Sequence, residues 1–132
     1  MPRAKAMTWK EHRAKWIDCS LCSLCKRRRK VVLARGKVPC DVLFIGEAPG
    51  ASEDSLGSPF VGPAGHLLDQ MIEDALDMTS PDQADLPAID SGPRIAFTNL
   101  IACIPKDEDG NKISSGDDIP LESIEACSER LN

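Results

Sequence analysis

The chain lacks any long apolar run. No stretch approaches the roughly 18 residues that a helix needs to cross a bilayer, and the opening Met1-Pro2-Arg3-Ala4-Lys5-Ala6-Met7 has no hydrophobic segment of the secretory kind. A membrane protein or a secreted one is therefore not expected, and the sequence reads as a soluble chain of the reducing cytoplasm. Aromatic residues are scarce, with three Phe, two Trp and no Tyr, so each ring has to be accounted for individually. Histidine occurs twice, as His12 and His66. Strong compositional bias is also missing: 42% hydrophobic and 28% charged residues exclude a disordered tail or a fibrous repeat. A length of 132 residues is one domain's worth of chain, enough to bury roughly two thirds of its unfolded surface, so a single domain over 1–132 is expected.

The formal net charge of −5 conceals a division. Residues 1–38 hold twelve Lys and Arg against Glu11 and Asp18, whereas residues 39–132 hold four against nineteen acids. The basic N-terminal segment, with Lys26, Arg27, Arg28, Arg29 and Lys30 in succession, suits a polyanion whose counterions it can displace. A solvated charge run and a nuclear-import signal share that composition.

Six cysteines in a chain without a secretion signal do not read as disulfides. Cys19, Cys22 and Cys25 stand at C-x2-C-x2-C, Cys40 follows a proline, and Cys103 and Cys127 stand alone downstream. A C-x2-C turn brings two thiolates to one metal, and two distant cysteines complete a four-thiolate site once the chain folds back. Zinc and an iron-sulfur cluster both fit this pattern, and Cys40 reads equally well as a small buried apolar residue.

Thr8 and Glu11 form a capping box, which predicts a helix carrying Trp9 and Trp16 on one face and Lys10, Arg13 and Lys15 outward. Val31 to Ala34 reads as a short extended piece. Asp41 to Gly46 has an unbroken apolar run, which predicts a strand buried on both faces of a parallel sheet. From Ala64 to Met78 the apolar positions follow the i, i+3, i+4, i+7 pattern of an amphipathic helix. Residues 79–93, with three prolines, predict a loop, and Arg94 to Ile104 a second buried strand. Strand, loop, helix and strand make a crossover unit of an α/β fold. A polar loop from Lys106 to Asp118 follows, then a last helix from about Pro120, with no stop signal before Asn132.

Gly46-Glu47-Ala48-Pro49-Gly50 lies at the carboxyl end of the first buried strand, where open α/β sheets place their ligands. Glycines there let a backbone approach a ligand, although a sharp turn needs the same residues for geometry alone. Phe60 stands in a glycine and proline loop rather than in an apolar run. Such a ring plugs a loop into the core or stacks on a planar ligand, and a base extruded from a duplex needs an aromatic face.

These motifs together resemble the iron-sulfur uracil-DNA glycosylases usually called family 4. The elements that carry the resemblance are Cys19-x-x-Cys22 with Leu24-Cys25 and Val31-Val32, then Val42 to Gly50, Glu53-Asp54, Gly57 to Gly65 with Leu67-Leu68, Thr98-Asn99 leading into Cys103, and Cys127. The resemblance implies a three-layer αβα fold around a central parallel sheet, with its N-terminal part present. It implies that Cys19, Cys22, Cys103 and Cys127 ligate a structural four-iron four-sulfur cluster, with Cys25 and Cys40 outside it and zinc as the minority alternative. It further implies that Gly46, Ala48, Pro49 and Gly50 surround the uracil, that Phe60 stacks on it, and that Asn99 hydrogen-bonds its Watson-Crick edge. Glu47 would position the attacking water, and Lys26 to Lys30 would contact DNA containing uracil.

The family also carries a second half with further strands and a late histidine motif that stabilises the departing base, and nothing here corresponds to it. The acidic loop Lys106-Asp107-Glu108-Asp109-Gly110 replaces the arginine and prolines usual there. Asp107, Asp109, Asn111 and Asp118 echo a calcium loop, but Lys112 stands where glycine is required. Two readings follow: a uracil-DNA glycosylase of base excision repair, or a non-catalytic iron-sulfur DNA-binding module or incomplete fragment. In the second, a second chain or the missing C-terminal half completes the sheet.

Overall fold

A computed structural model describes residues 7–76, 93–113 and 119–131. The first helix, α1 (Trp9–Trp16), opens on the expected capping box: Glu11 N–H donates to Thr8 Oγ1 and Thr8 N–H to the Glu11 carboxylate, both at 3.2 Å. Trp16 is buried while Lys10, Arg13 and Lys15 stay exposed. A 3-10 turn (Ser23–Lys26) buries Leu24, and strand β1 (Ala34–Gly36) follows slightly downstream of the extended piece expected at Val31 to Ala34. Strand β2 (Val42–Gly46), helix α2 (Ala51–Leu56), helix α3 (Pro63–Leu76), strand β3 (Ile95–Asn99) and helix α4 (Leu121–Leu131) complete the order. Helix α2 has no counterpart among the elements expected from the sequence. Its local signals are Gly50 at the N-cap with Glu53 three residues on, and Gly57 closing the helix at φ 77°. The loop expected at 79–93 lies outside the described residues except at Pro93.

The sheet order is β1-β3-β2. β2 and β3 run parallel, as the crossover through α2 and α3 requires, with Gly46 opposite Asn99. β1 pairs antiparallel to β3, with Ala34 opposite Thr98, which departs from the all-parallel expectation. The reason is the short link 37–41: it rounds the start of β3, where Lys37 N–H donates to Ile95 O (2.9 Å) and Asp41 N–H to Arg94 O (2.8 Å). A link that short reverses the chain, whereas a parallel neighbour needs a crossover of a dozen residues or more.

β3 is the strand buried throughout. It ends at Asn99 rather than at Ile104, and residues 101–105 continue as buried irregular chain, with Val32 N–H donating to Ala102 O (2.7 Å). The expectation of a doubly buried β2 is corrected. Leu43 and Ile45 are 45% and 56% exposed, because β2 is an edge strand that nothing covers among the described residues. Half of the apolar face of α3 is likewise open, at Leu67 and Met71.

Helices lie on both faces of the sheet. On one side Ile72 of α3 packs on Ile95 and Phe97, flanked by Phe44, Phe60 and Leu68. On the other, Trp16, Leu24, Val31, Leu33, Ile101 and Cys103 form a second core that α4 closes with Ile124 and Cys127. This is the α/β arrangement expected, with a sheet of three strands.

Arg35 of β1 ties the first layer together. Its guanidinium sits 4.0 Å from the centre of the Phe97 ring, pairs with Asp69 of α3 at 2.9 Å, and donates to the carbonyls of Pro59 (2.6 Å) and Phe60 (3.0 Å). Both charges are largely buried, at 7% and 19% side-chain exposure. Arg35→Met removes the charge but keeps the stem, stranding the Asp69 carboxylate and two carbonyls. The expected cost is about 3–5 kcal/mol, read as a lower urea midpoint, and Arg35→Met combined with Asp69→Leu recovers part of it.

Candidate functional site

The carboxyl end of β2 opens into a cleft of about 330 Å³, a size in the range of small-ligand pockets. Asn99 from the end of β3, Phe60, Gly50, Glu53 and Gly62 line it, with Lys112 as the one cation among the described lining residues. Gly46, at the end of β2, lies directly against two of these lining residues. A Cβ there would lie 2.5 Å from Asn99 Oδ1 and 2.7 Å from Phe60 Cζ, so the bare backbone is what lets amide and ring come together. Phe60 and Asn99, the two residues expected to read a planar base, therefore converge on one glycine.

Phe60 is held in an unusual way. Its φ is 57°, a left-handed conformation that bulky residues rarely adopt and that costs on the order of 1–3 kcal/mol. Arg35 holds its carbonyl, Gly65 packs so closely on that carbonyl that a Cβ would overlap it, and its ring tilts against Phe97 at 5.7 Å. Glu53 fixes the other side. One carboxylate oxygen accepts Gly50 N–H (2.8 Å), and the other accepts Val61 N–H (3.1 Å) and Gly62 N–H (2.7 Å). A single side chain thus clamps the loop after β2 to the loop after Phe60. The sequence motifs assign Glu53 no role; the local signal for this one is a carboxylate three residues after a glycine that itself follows a strand.

Ala48 and Gly50 line the cleft, while Pro49 is buried behind it. Glu47 is exposed and is not among the lining residues, although its carbonyl is fixed by Ile101 N–H at 3.2 Å. His66 is exposed at the start of α3, and His12 stacks on Trp9 at 5.5 Å; neither lines the cleft. The basic run is not one continuous patch. Arg27 donates to Lys106 O (2.9 Å) and Arg28 to Cys19 O (2.5 Å), whereas Lys26, Arg29 and Lys30 are exposed. The backbone N–H of Arg29 and of Lys30 is held by buried Asp54. In the acidic loop, Asp107 Oδ1 accepts Asp109 N–H (3.0 Å) and Asn111 N–H (2.9 Å), so that carboxylate shapes a turn; Asp118 lies outside the described residues.

Cys19, Cys22, Cys103 and Cys127 line a single cavity of about 10 Å³, and Cys25 and Cys40 do not. Among the described residues no three His, Cys, Asp or Glu side chains are grouped to hold one metal ion. Burial pushes the Cys103 thiol up to about 11, with the charge of Arg28, whose Nη1 lies 3.6 Å from its sulfur, working against the shift. Arg130 also lines the cavity. Burial lowers its pKa, and the neighbouring sulfurs of Cys127, Cys103 and Cys19 oppose that. Two buried polar atoms lack a hydrogen-bond partner among the described residues, Ser123 Oγ and Arg130 Nε, and both belong to residues that line this cavity. A soft set of four thiols with two orphaned donors beside it suits a thiolate-ligated inorganic group that brings its own acceptors.

Residues 33–132 match the family model of the uracil DNA glycosylase superfamily. The type-4 uracil-DNA glycosylase of Saccharolobus solfataricus is 38% identical over 87 residues, 66% of this chain and 35% of that protein. That of Sulfurisphaera tokodaii is 35% identical over 116 residues, 88% of this chain and 44% of that protein. That of Pyrobaculum aerophilum is 34% identical over 110 residues, covering 83% and 45%. The chain spans less than half the length of these relatives.

Glu53→Gln keeps size and shape but turns one acceptor oxygen into a donor that faces an N–H. We expect a loss of about 2 kcal/mol in denaturant unfolding, and faster amide hydrogen exchange confined to the segments around Gly50 and Gly62. Unchanged exchange at both segments would show that the clamp does not hold them.

Proposed function

The chain belongs to the uracil DNA glycosylase superfamily, and on that premise we propose that it takes a uracil nucleotide turned out of DNA and hydrolyses its N-glycosidic bond, the opening step of base excision repair. The observation that carries this reading is the convergence of the Phe60 ring and the Asn99 amide on Gly46 at the mouth of the sheet. A uracil slid over Phe60 presents O4 and N3–H to Asn99, whose amide donates to the first and accepts from the second. With the amide held in that orientation, cytosine meets it donor to donor and acceptor to acceptor, a mismatch a buried site rejects strongly. Asn99 is 4% exposed, so it has little water to fall back on.

In the reaction, a water oxygen bonds to C1′ of the deoxyribose as the C1′–N1 bond breaks, the electron pair of that bond leaves with N1 of uracil, and the proton shed by the water ends, through solvent, on the departing base. Glu47, at the exposed rim one residue beyond Gly46, would orient that water and offset the positive charge that develops on the sugar. Lys26, Arg29 and Lys30 remain available to backbone phosphates. Cys19, Cys22, Cys103 and Cys127 would hold a four-iron four-sulfur cluster. What supports this reading is that all four line one cavity, a set of soft thiols suited to a thiolate-ligated metal group. When bound, that group supplies a structural cross-link among the segments around the 3-10 turn, the chain after β3, and α4.

One observation favours a second reading, uracil-DNA binding without excision: neither His12 nor His66 lines the cleft, so no described histidine stands ready for the departing base. A uracil-containing oligonucleotide separates the two. Abasic product supports the enzyme; retained, uracil-selective binding with no product selects the binding module, and neither product nor selectivity refutes both. Asn99→Asp, which loses both amide donors, is expected to lower uracil-selective excision or binding by about a hundredfold or more. Phe60→Ala should weaken affinity by about tenfold through lost stacking.

A further inference from the structure

Helix α4 presents three chemically different side chains at positions i, i+4 and i+7: Ser123, Cys127 and Arg130. That spacing puts them on one face over two turns, and all three line the cysteine cavity. Ser123 is fully buried and Arg130 is 8% exposed. Ser123 Oγ and Arg130 Nε have no hydrogen-bond partner among the described residues. The rest of the Arg130 guanidinium is well occupied. Nη1 donates to Thr98 Oγ1 (3.1 Å), and Nη2 to the carbonyls of Asn99 (2.6 Å) and Leu100 (3.3 Å). Two buried donors left unpaired would each cost about 1–3 kcal/mol, and finding both beside the same four sulfurs calls for an acceptor there.

We propose that Ser123 Oγ–H and Arg130 Nε–H are hydrogen-bond donors to the sulfur atoms of the group held by Cys19, Cys22, Cys103 and Cys127, and so govern how firmly that group is retained. The inference rests on the iron-sulfur reading above. Donors to ligand sulfurs spread the negative charge of the thiolates and hold the ligands in place, and losing such a partner typically weakens metal affinity by about 10- to 100-fold. Arg130 has a further consequence. The same guanidinium that would face the sulfurs holds the backbone of Asn99, so the cavity and the cleft share one positioning residue.

The test uses the whole chain purified without oxygen, as wild type, Ser123→Ala and Arg130→Lys. Ser123→Ala is the decisive variant, since it removes one oxygen that has no hydrogen-bond partner among the described residues and leaves a good helix former. Iron and acid-labile sulfide of about four each per chain in all three proteins is expected. Iron release to a chelator should be about tenfold faster in Ser123→Ala, and the shift of the iron-sulfur stretching bands on exchange into D2O, seen in the wild type, should be reduced. Arg130→Lys, which retains the charge but not the fork, should show the same direction of change. Wild-type iron with unchanged release and unchanged D2O shift in Ser123→Ala overturns this inference alone. A wild type without iron or sulfide overturns the cluster reading, and this inference with it.

Discussion

The guanidinium of Arg35 is the point on which the first layer of the molecule turns. Lying over Phe97, it can reach the Asp69 carboxylate of α3 and the carbonyls of Pro59 and Phe60 at once. Each of those contacts would be worth little at a surface, where solvent screens the charge and the side chains keep their freedom. Buried, they are mutually dependent, because losing one partner leaves a charge or a carbonyl without compensation. The placement of the Phe60 ring, and hence the width of the cleft, follows from a β1 residue that lies outside the loop carrying the ring.

A second guanidinium plays a comparable part on the other face. Arg130 links the last helix to Thr98, Asn99 and Leu100, where the central strand gives way to irregular chain. The cleft and the cysteine cavity are thus both built on the end of β3, one on each side of the sheet. β3 can serve both because it is buried along its whole length and fixed by strands on both edges.

Much of this arrangement was legible in the sequence where the signal was local. The capping box at Thr8 and the amphipathic run from Ala64 follow from spacing, and both appear in the structure; Cys19, Cys22, Cys103 and Cys127, which only the family resemblance set apart from Cys25 and Cys40, line one cavity. The misreadings have a common cause. An apolar run such as Val42 to Ile45 announces a strand that prefers burial, but whether anything covers it depends on neighbours the run does not encode. Arg27, Arg28 and Arg35 belong to the basic segment by composition, and each also has a partner far along the chain, 79, 75 and 34 residues away, which no pattern in the segment itself encodes. Helix α2 was obscured because six residues are too few to show a periodicity, even though both of its ends carried recognisable signals.

Phe60 holds two demands that oppose each other. Its backbone sits in a conformation that glycine or asparagine would occupy with less strain, while the face it turns toward the cleft can be supplied only by a ring. Chance substitutions that relax the backbone at this position remove the stacking surface, and aromatic replacements that keep the surface keep the strain. At this one residue, then, relief of backbone strain and loss of the ring that the proposed base recognition needs come by the same mutational step. The neighbours that make the strained conformation tolerable, Arg35, Glu53 and Gly65, share the constraint without offering the cleft an aromatic face.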